Sequence, residues 1–121
     1  MKYQGIVWAG ILVQDMEASI SFYKEVLGLS FLGKGDDWAH FDAGNGGLLE
    51  LFSGGKASPA PKGPDQQSIV LGLRVENLDR AIIELKQKGV QGFEDIGEAE
   101  GARWANFSDL EGNQLELKEV P

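Results

Sequence analysis

The sequence predicts an α+β fold made of two βαβββ modules, and three observations predict it. The first is an internal repeat: residues 38–51, WAHFDAGNGGLLEL, and 104–117, WANFSDLEGNQLEL, agree without a gap at seven of fourteen positions. The second is that each half opens in the same way, with a strand-like run followed by a capped amphipathic helix. The third is the stretch between the halves, SGGKASPAPKGPDQQS (53–68), which holds three of the four prolines and reads as a linker rather than a core element. A repeat this long in a chain of 121 residues means two half-units that complete each other. Module one spans about 1–53, the linker 54–67 and module two about 68–121, all within one domain.

The elements follow in order. IVWAGILV (6–13) is rich in β-branched residues and predicts a strand. Asp15 is placed as an N-cap; Met16, Ile20, Tyr23 and Leu27 then recur at helical spacing, and Gly28 closes the helix. In the second half SIVLGLRV (68–75) is the strand, Asn77 the cap, Leu78, Ile82 and Leu85 the apolar stripe, and Gly89 the stop. Each half ends in a hairpin that closes on Leu-Glu-Leu.

Side-chain alternation sorts the strands into two faces. One carries Val7, Ala9, Ile11, Val13, Ala39, Phe41, Leu49, Leu51, Ile69, Leu71, Leu73, Val75, Ala105, Phe107, Leu115 and Leu117. All are apolar, so this face should lie under the helices. The opposite face mixes aromatic, small and charged residues: Trp8, Gly10, Leu12, Trp38, His40, Leu48, Glu50, Phe52, Val70, Gly72, Arg74, Trp104, Asn106, Gln114, Glu116 and Lys118. Such a mixture makes a poor core and a good binding surface. A mixed sheet with helices on its convex side, curved about this second face, would form a concave cleft lined by all three tryptophans.

Composition bounds the function. The apolar fraction of 42% and charged fraction of 25% are those of an ordinary globular protein. No apolar run approaches a membrane span, and the N-terminus lacks the apolar block of a signal peptide, so a cytoplasmic location and no membrane partner are expected. The absence of cysteine excludes disulfides, thiolate catalysis and Cys-ligated zinc. A net charge of −8 without Lys/Arg clusters argues against nucleic acid. Asp36 and Asp37 in one loop, and Glu94, Asp95, Glu98 and Glu100 in another, form acidic rims that serve solubility or attract a basic ligand.

The paired modules, the segment VQDMEASISFYKEVLGLSF (13–31) and the closing FSDLEGNQLEL (107–117) together resemble the vicinal oxygen chelate superfamily. Its members include glyoxalase I, methylmalonyl-CoA epimerase, extradiol dioxygenases and bleomycin-resistance proteins. The first motif matches at Val13, Asp15, Ser19, Phe22, Tyr23, Leu27 and Gly28; the second departs only at Leu110, where the family usually has proline. The resemblance covers essentially the whole chain.

In metal-dependent members four ligands lie on the concave face, one on the first and one on the last strand of each module. The resemblance puts Glu50 and Glu116 at the last-strand positions, but Trp8 and Val70 at the first-strand positions, where neither side chain binds a metal. Two carboxylates alone make a weak, mostly hydrated site. The expectation is therefore no cofactor; a divalent metal, if present, would sit on Glu50 and Glu116. One histidine excludes a two-histidine iron centre. His40 is left open between a ligand contact, a simple hydrogen bond, a base without an evident partner and a displaced metal ligand. The two glutamates are open between pairing with Arg74, Lys118 or a backbone donor and meeting a ligand's amine or hydroxyl.

Trp8, Trp38 and Trp104 either fill a cleft that has lost its metal or stack on a planar or cationic ligand. The candidate ligand-binding set is Trp8, Trp38, His40, Glu50, Phe52, Arg74, Trp104, Asn106 and Glu116, with no catalytic residue assignable. Two functions are carried: a small-molecule binding protein of the glyoxalase/bleomycin-resistance type, with antibiotic sequestration as one such role, and a glyoxalase-like metal-dependent lyase or isomerase using Glu50 and Glu116. The partner expected is a basic or planar small molecule, and the resemblance implies a homodimer.

Overall fold

The computed structural model describes residues 1–121, which divide into two units, Met1–Ala57 and Ser58–Pro121. Each holds a four-stranded mixed sheet and a helix, the α+β arrangement of the vicinal oxygen chelate fold.

Unit 1 runs β1 (Trp8–Val13), α1 (Met16–Ser21), β2 (Ser30–Lys34), β3 (Trp38–Gly44) and β4 (Gly47–Ser53), with strand order β1-β4-β3-β2. β1 pairs with β4 in parallel, which needs a crossover, and α1 supplies it. The Asp15 carboxylate accepts from the Ala18 N–H at 3.1 Å, capping the helix. Beyond Ser21 the helix widens into a π turn over Phe22–Val26, where the Leu27 N–H donates to the Phe22 carbonyl at 2.9 Å. Gly28 then turns the chain at φ +79°.

The helix buries Ile20 and Tyr23 against Val13, Ala39, Phe41, Leu49 and Leu51, which form the core of this unit. Each large side chain so buried contributes about 1.5–3 kcal/mol of transfer free energy.

Unit 2 repeats the plan with β5 (Leu71–Arg74), α2 (Leu78–Gln87), β6 (Gly97–Ala99), β7 (Ala102–Ser108) and β8 (Gln114–Glu119), in the order β5-β8-β7-β6. Asn77 caps α2 by accepting from the Arg80 N–H at 3.0 Å, and Leu78, Ile82 and Leu85 are buried against β7 and β8. The hairpin registers coincide: His40 lies opposite Glu50, and Asn106 opposite Glu116. Even a surface detail recurs, with Lys24 over the Phe31 ring at 5.5 Å and Lys86 over Phe93 at 6.0 Å.

Three sequence expectations need correction. Val7 and Ile69, assigned to the helix-covered face, are 70% and 79% exposed because they precede β1 and β5. Val70, assigned to the opposite face, also precedes β5 and is 52% exposed. Alternation ceases to predict burial beyond the ends of a strand.

The stretch read as a linker is also more than a connection. Gly55 donates to the Val13 carbonyl in unit 1, while in unit 2 Ser58 and Lys62 donate their backbone N–H groups to the Glu111 and Gly112 carbonyls. The Lys62 side chain is buried, and its ammonium donates to Asn113 Oδ1 at 2.7 Å. This strap lies over the β7–β8 turn, which Asp109 organises by accepting from the N–H groups of Glu111 and Asn113.

Candidate functional site

On the face of the unit 1 sheet away from α1, register places Gly10 of β1 and His40 of β3 on either side of Glu50 of β4. The Trp8 indole N–H donates to Glu50 Oε1 at 3.1 Å, and His40 Nε2 lies 3.2 Å from the same oxygen. Trp38 packs against His40 with ring centroids 4.4 Å apart, and Trp8 stacks on Phe52 at 6.1 Å and 12°. Five of the nine candidate residues thus form one contiguous patch around one carboxylate.

Two glycines make room for the rings. A Cβ on Gly10 would lie 2.5 Å from the Trp8 ring and 2.7 Å from Phe52, so both rings lie flat over β1 only because that side chain is absent. Gly35 plays the same part beneath Trp38. Neither glycine was singled out as a site residue from sequence. The signal available was a glycine two residues after Trp8, on its own face.

The Glu50 partners also differ from those expected. Within unit 1 no backbone donor is involved; an indole and an imidazole from neighbouring strands approach it instead. The partner that sequence reasoning could not find for His40 is Glu50 itself.

In unit 2, Trp104, Asn106 and Glu116 share the corresponding face. The Lys118 ammonium sits 5.1 Å over the Trp104 ring, and Trp104 lies over Gly97. Asn106 donates to Glu94 at 3.4 Å. The Glu116 carboxylate lies over Gly72, 3.3 Å from where a Cβ would stand, and makes no hydrogen bond or ion pair. Arg74 is exposed beside it, next to Lys118 in register. Of the acidic rims, Asp36 and Asp37 are exposed, and Glu98 meets Arg103 at 3.6 Å on the helix side.

A divalent metal fits these donors poorly. At the first-strand position of unit 1 an indole N–H points at Glu50, where a ligand would need to offer a lone pair, and the His40 imidazole crowds the same oxygen at 3.2 Å. No three His, Asp or Glu side chains converge as a metal site.

Comparison with known proteins agrees with this fold. The chain matches the model of the Glyoxalase/Bleomycin resistance protein/Dioxygenase superfamily over residues 5–117, and it belongs to that superfamily. A relative, the uncharacterized protein YraH of Bacillus subtilis (strain 168), is 31% identical over 118 residues, covering 88% of this chain and 91% of its own. Among solved structures, a glyoxalase family protein from Bacillus anthracis superposes with a TM-score of 0.80 at 20% identity, over 100% of this chain and 98% of that one. TnmS3, an antibiotic binding protein from Streptomyces sp. CB03234, gives 0.76 at 24% identity, over 100% and 99%. At these identities the superpositions establish the fold.

Proposed function

We propose that this chain is a small-molecule binding protein that grips a planar, basic ligand on the aromatic face of unit 1 without a metal. The observation that carries the reading is the grouping of Trp8, Phe52, Trp38 and His40 around Glu50. Ring faces accept a flat cation, each such contact contributing about 0.5–2 kcal/mol, and the carboxylate supplies the opposite charge. The net charge of −8 favours approach of a cation. The antibiotic-binding activity named for TnmS3 supports an antibiotic as the ligand class.

We further propose a homodimer acting in the cytoplasm. β1 and β5 are edge strands of their own sheets, and Ile6, Val7, Leu12, Ile69 and Val70 on or beside them are exposed, a combination that a second copy would cover. No helix is long and apolar enough to cross a membrane.

The test is tryptophan-fluorescence titration with a panel of planar aromatic cations, on the parent and on Trp38→Ala. Saturable quenching by the parent, weakened at least about tenfold in a variant that still folds, supports the reading. No binding by the parent, or equal binding by the variant, overturns it. Turnover that requires added metal and is lost in Glu50→Gln would instead establish the lyase or isomerase reading.

A further inference from the structure

The repeat lets the two sheets be compared row by row. Across β1, β4 and β3 of unit 1 one row reads Leu12, Phe52, Trp38, and the next Gly10, Glu50, His40. Across β5, β8 and β7 of unit 2 the corresponding rows read Arg74, Lys118, Trp104 and Gly72, Glu116, Asn106. The glycine, the central glutamate and the tryptophan recur, whereas two apolar side chains have given way to two cations. Those cations stand directly opposite each other on neighbouring strands, where like charges repel. Neither is neutralised: Arg74 is exposed without a hydrogen bond or ion pair, and the Lys118 ammonium rests only on the Trp104 ring, at 5.1 Å. Elsewhere Lys34 and Arg103 meet Glu17 and Asp79 at 2.8 and 3.1 Å. In a chain with 19 acidic residues, an adjacent pair of cations without a carboxylate is free to take one from outside.

We propose that the unit 2 face is a second binding site, for a planar aromatic monocarboxylate: Arg74 and Lys118 take the carboxylate, and the ring lies against Trp104. This goes beyond the cation reading of unit 1, and neither depends on the other. A guanidinium presents two parallel N–H donors to one carboxylate, and the lysine adds a further charged donor. Lys118 is half-buried and already placed on the indole, so it has little freedom left to lose on binding. Trp104 lies over Gly97, where a Cβ would run into the ring, and this holds the indole flat in the row of the two cations. Glu116 sets orientation and valence. It has no partner of its own and stands one row on, about 7 Å along the strand, where it repels a second carboxylate or a phosphate dianion reaching over it. The net charge of −8 opposes any anion at long range, which leaves selection to these short-range contacts.

The experiment titrates 2-naphthoate, and 2-naphthamide as the uncharged control of the same ring, into nitrogen-15-labelled protein. The three tryptophans give three indole N–H signals, and that of Trp104 is assigned by its loss in Trp104→Phe. Naphthoate should shift the Trp104 signal saturably and leave those of Trp8 and Trp38 in place. Naphthamide should bind at least about tenfold more weakly, the order of one charge-assisted contact. Arg74→Gln, at an exposed position that the fold does not need, should weaken naphthoate by about tenfold as well. Glu116→Gln removes the neighbouring negative charge and should tighten naphthoate by about two- to threefold. Opposite signs in these two variants are the mark of a charge-reading site, which a merely structural role would not produce.

No saturable shift of Trp104, or equal binding of naphthoate and naphthamide, overturns the proposal. So does an Arg74→Gln variant that binds naphthoate as the parent does. Shifts confined to Trp8 and Trp38 overturn its placement on unit 2. An unchanged or weakened affinity in Glu116→Gln overturns the orienting role of that carboxylate. None of these results touches the cation reading, whose residues lie on the other sheet, and failure of cations to bind unit 1 leaves this site standing.

Discussion

The Trp8 indole N–H donates to Glu50 Oε1 at 3.1 Å, joining the first and last strands of unit 1 across their common face. The two residues belong to parallel partners 42 positions apart, and Gly10 between them leaves the room in which the indole lies down. Trp8 is 47% exposed, so Trp8→Phe removes a hydrogen bond with little change in burial. It should cost no more than about 1 kcal/mol, within the usual net worth of one such bond. Urea denaturation measures this, and a much larger loss would mean that the pair holds the sheet together.

Gly10→Ala should act on the site more than on the fold. The added methyl would meet the Trp8 and Phe52 rings, which are free to swing toward solvent, and not backbone. We expect a stability change below about 2 kcal/mol, at the low end for overpacking, with a changed tryptophan emission spectrum and weakened cation binding. An unchanged spectrum would show that the rings do not rest on this strand.

Core and edge positions should separate cleanly. Phe41→Ala removes a fully buried ring and should cost about 3–5 kcal/mol, whereas Ile69→Ala, on an exposed approach to β5, should stay within about 0.5 kcal/mol. Chemical denaturation of the two variants decides it. A costly Ile69→Ala would reveal a partner covering that edge, which would support the dimer.

Gly112→Ala tests the strap over the β7–β8 turn. Gly112 has φ +82°, and a Cβ there would stand 2.5 Å from the Ala60 carbonyl and 3.1 Å from that of Ser58. Backbone strain and displacement of the strap should together cost about 1–3 kcal/mol. Proteolysis within residues 56–66 should quicken. If it does not, the strap is held by Lys62 and Asn113 independently of the turn.

Acid sensitivity should have one identifiable contribution. The Arg103 guanidinium holds both Asp79 oxygens, at 3.1 and 3.2 Å, and lowers the Asp79 pKa through hydrogen bonding first and charge second. Between the lowered folded value and the unfolded value of 3.8 the unfolded chain binds more protons, so stability rises with pH in that window. The contribution is complete above the window and is lost as pH falls through the folded value. Asp79→Asn should therefore flatten the stability profile there and leave its shape above pH ~5 unchanged; an identical profile would show the pair to be energetically silent.

Much of this molecule was legible in the sequence because a duplicated pattern is read twice. Asp15 and Asn77 are both caps, Tyr23 and Leu85 are both buried helix positions, and the two Leu-Glu-Leu strands put their leucines in the core. Local rules suffice there, since a cap or an alternation depends on near neighbours in the chain. They failed at Val7, Ile69 and Val70, which lie just before β1 and β5 and are exposed there. They failed again at Lys62, buried by a turn 51 residues away.

The sequence by itself determined which residues share a face: side-chain period and the hairpin repeat put Trp8, Trp38, His40, Glu50 and Phe52 together. Only the tertiary structure decided which atoms meet. That the Trp8 indole donates to Glu50 while His40 Nε2 comes to 3.2 Å from the same oxygen follows from interstrand register and rotamers over two glycines. Those are set by packing between strands distant in the chain, and side-chain alternation carries no information about them.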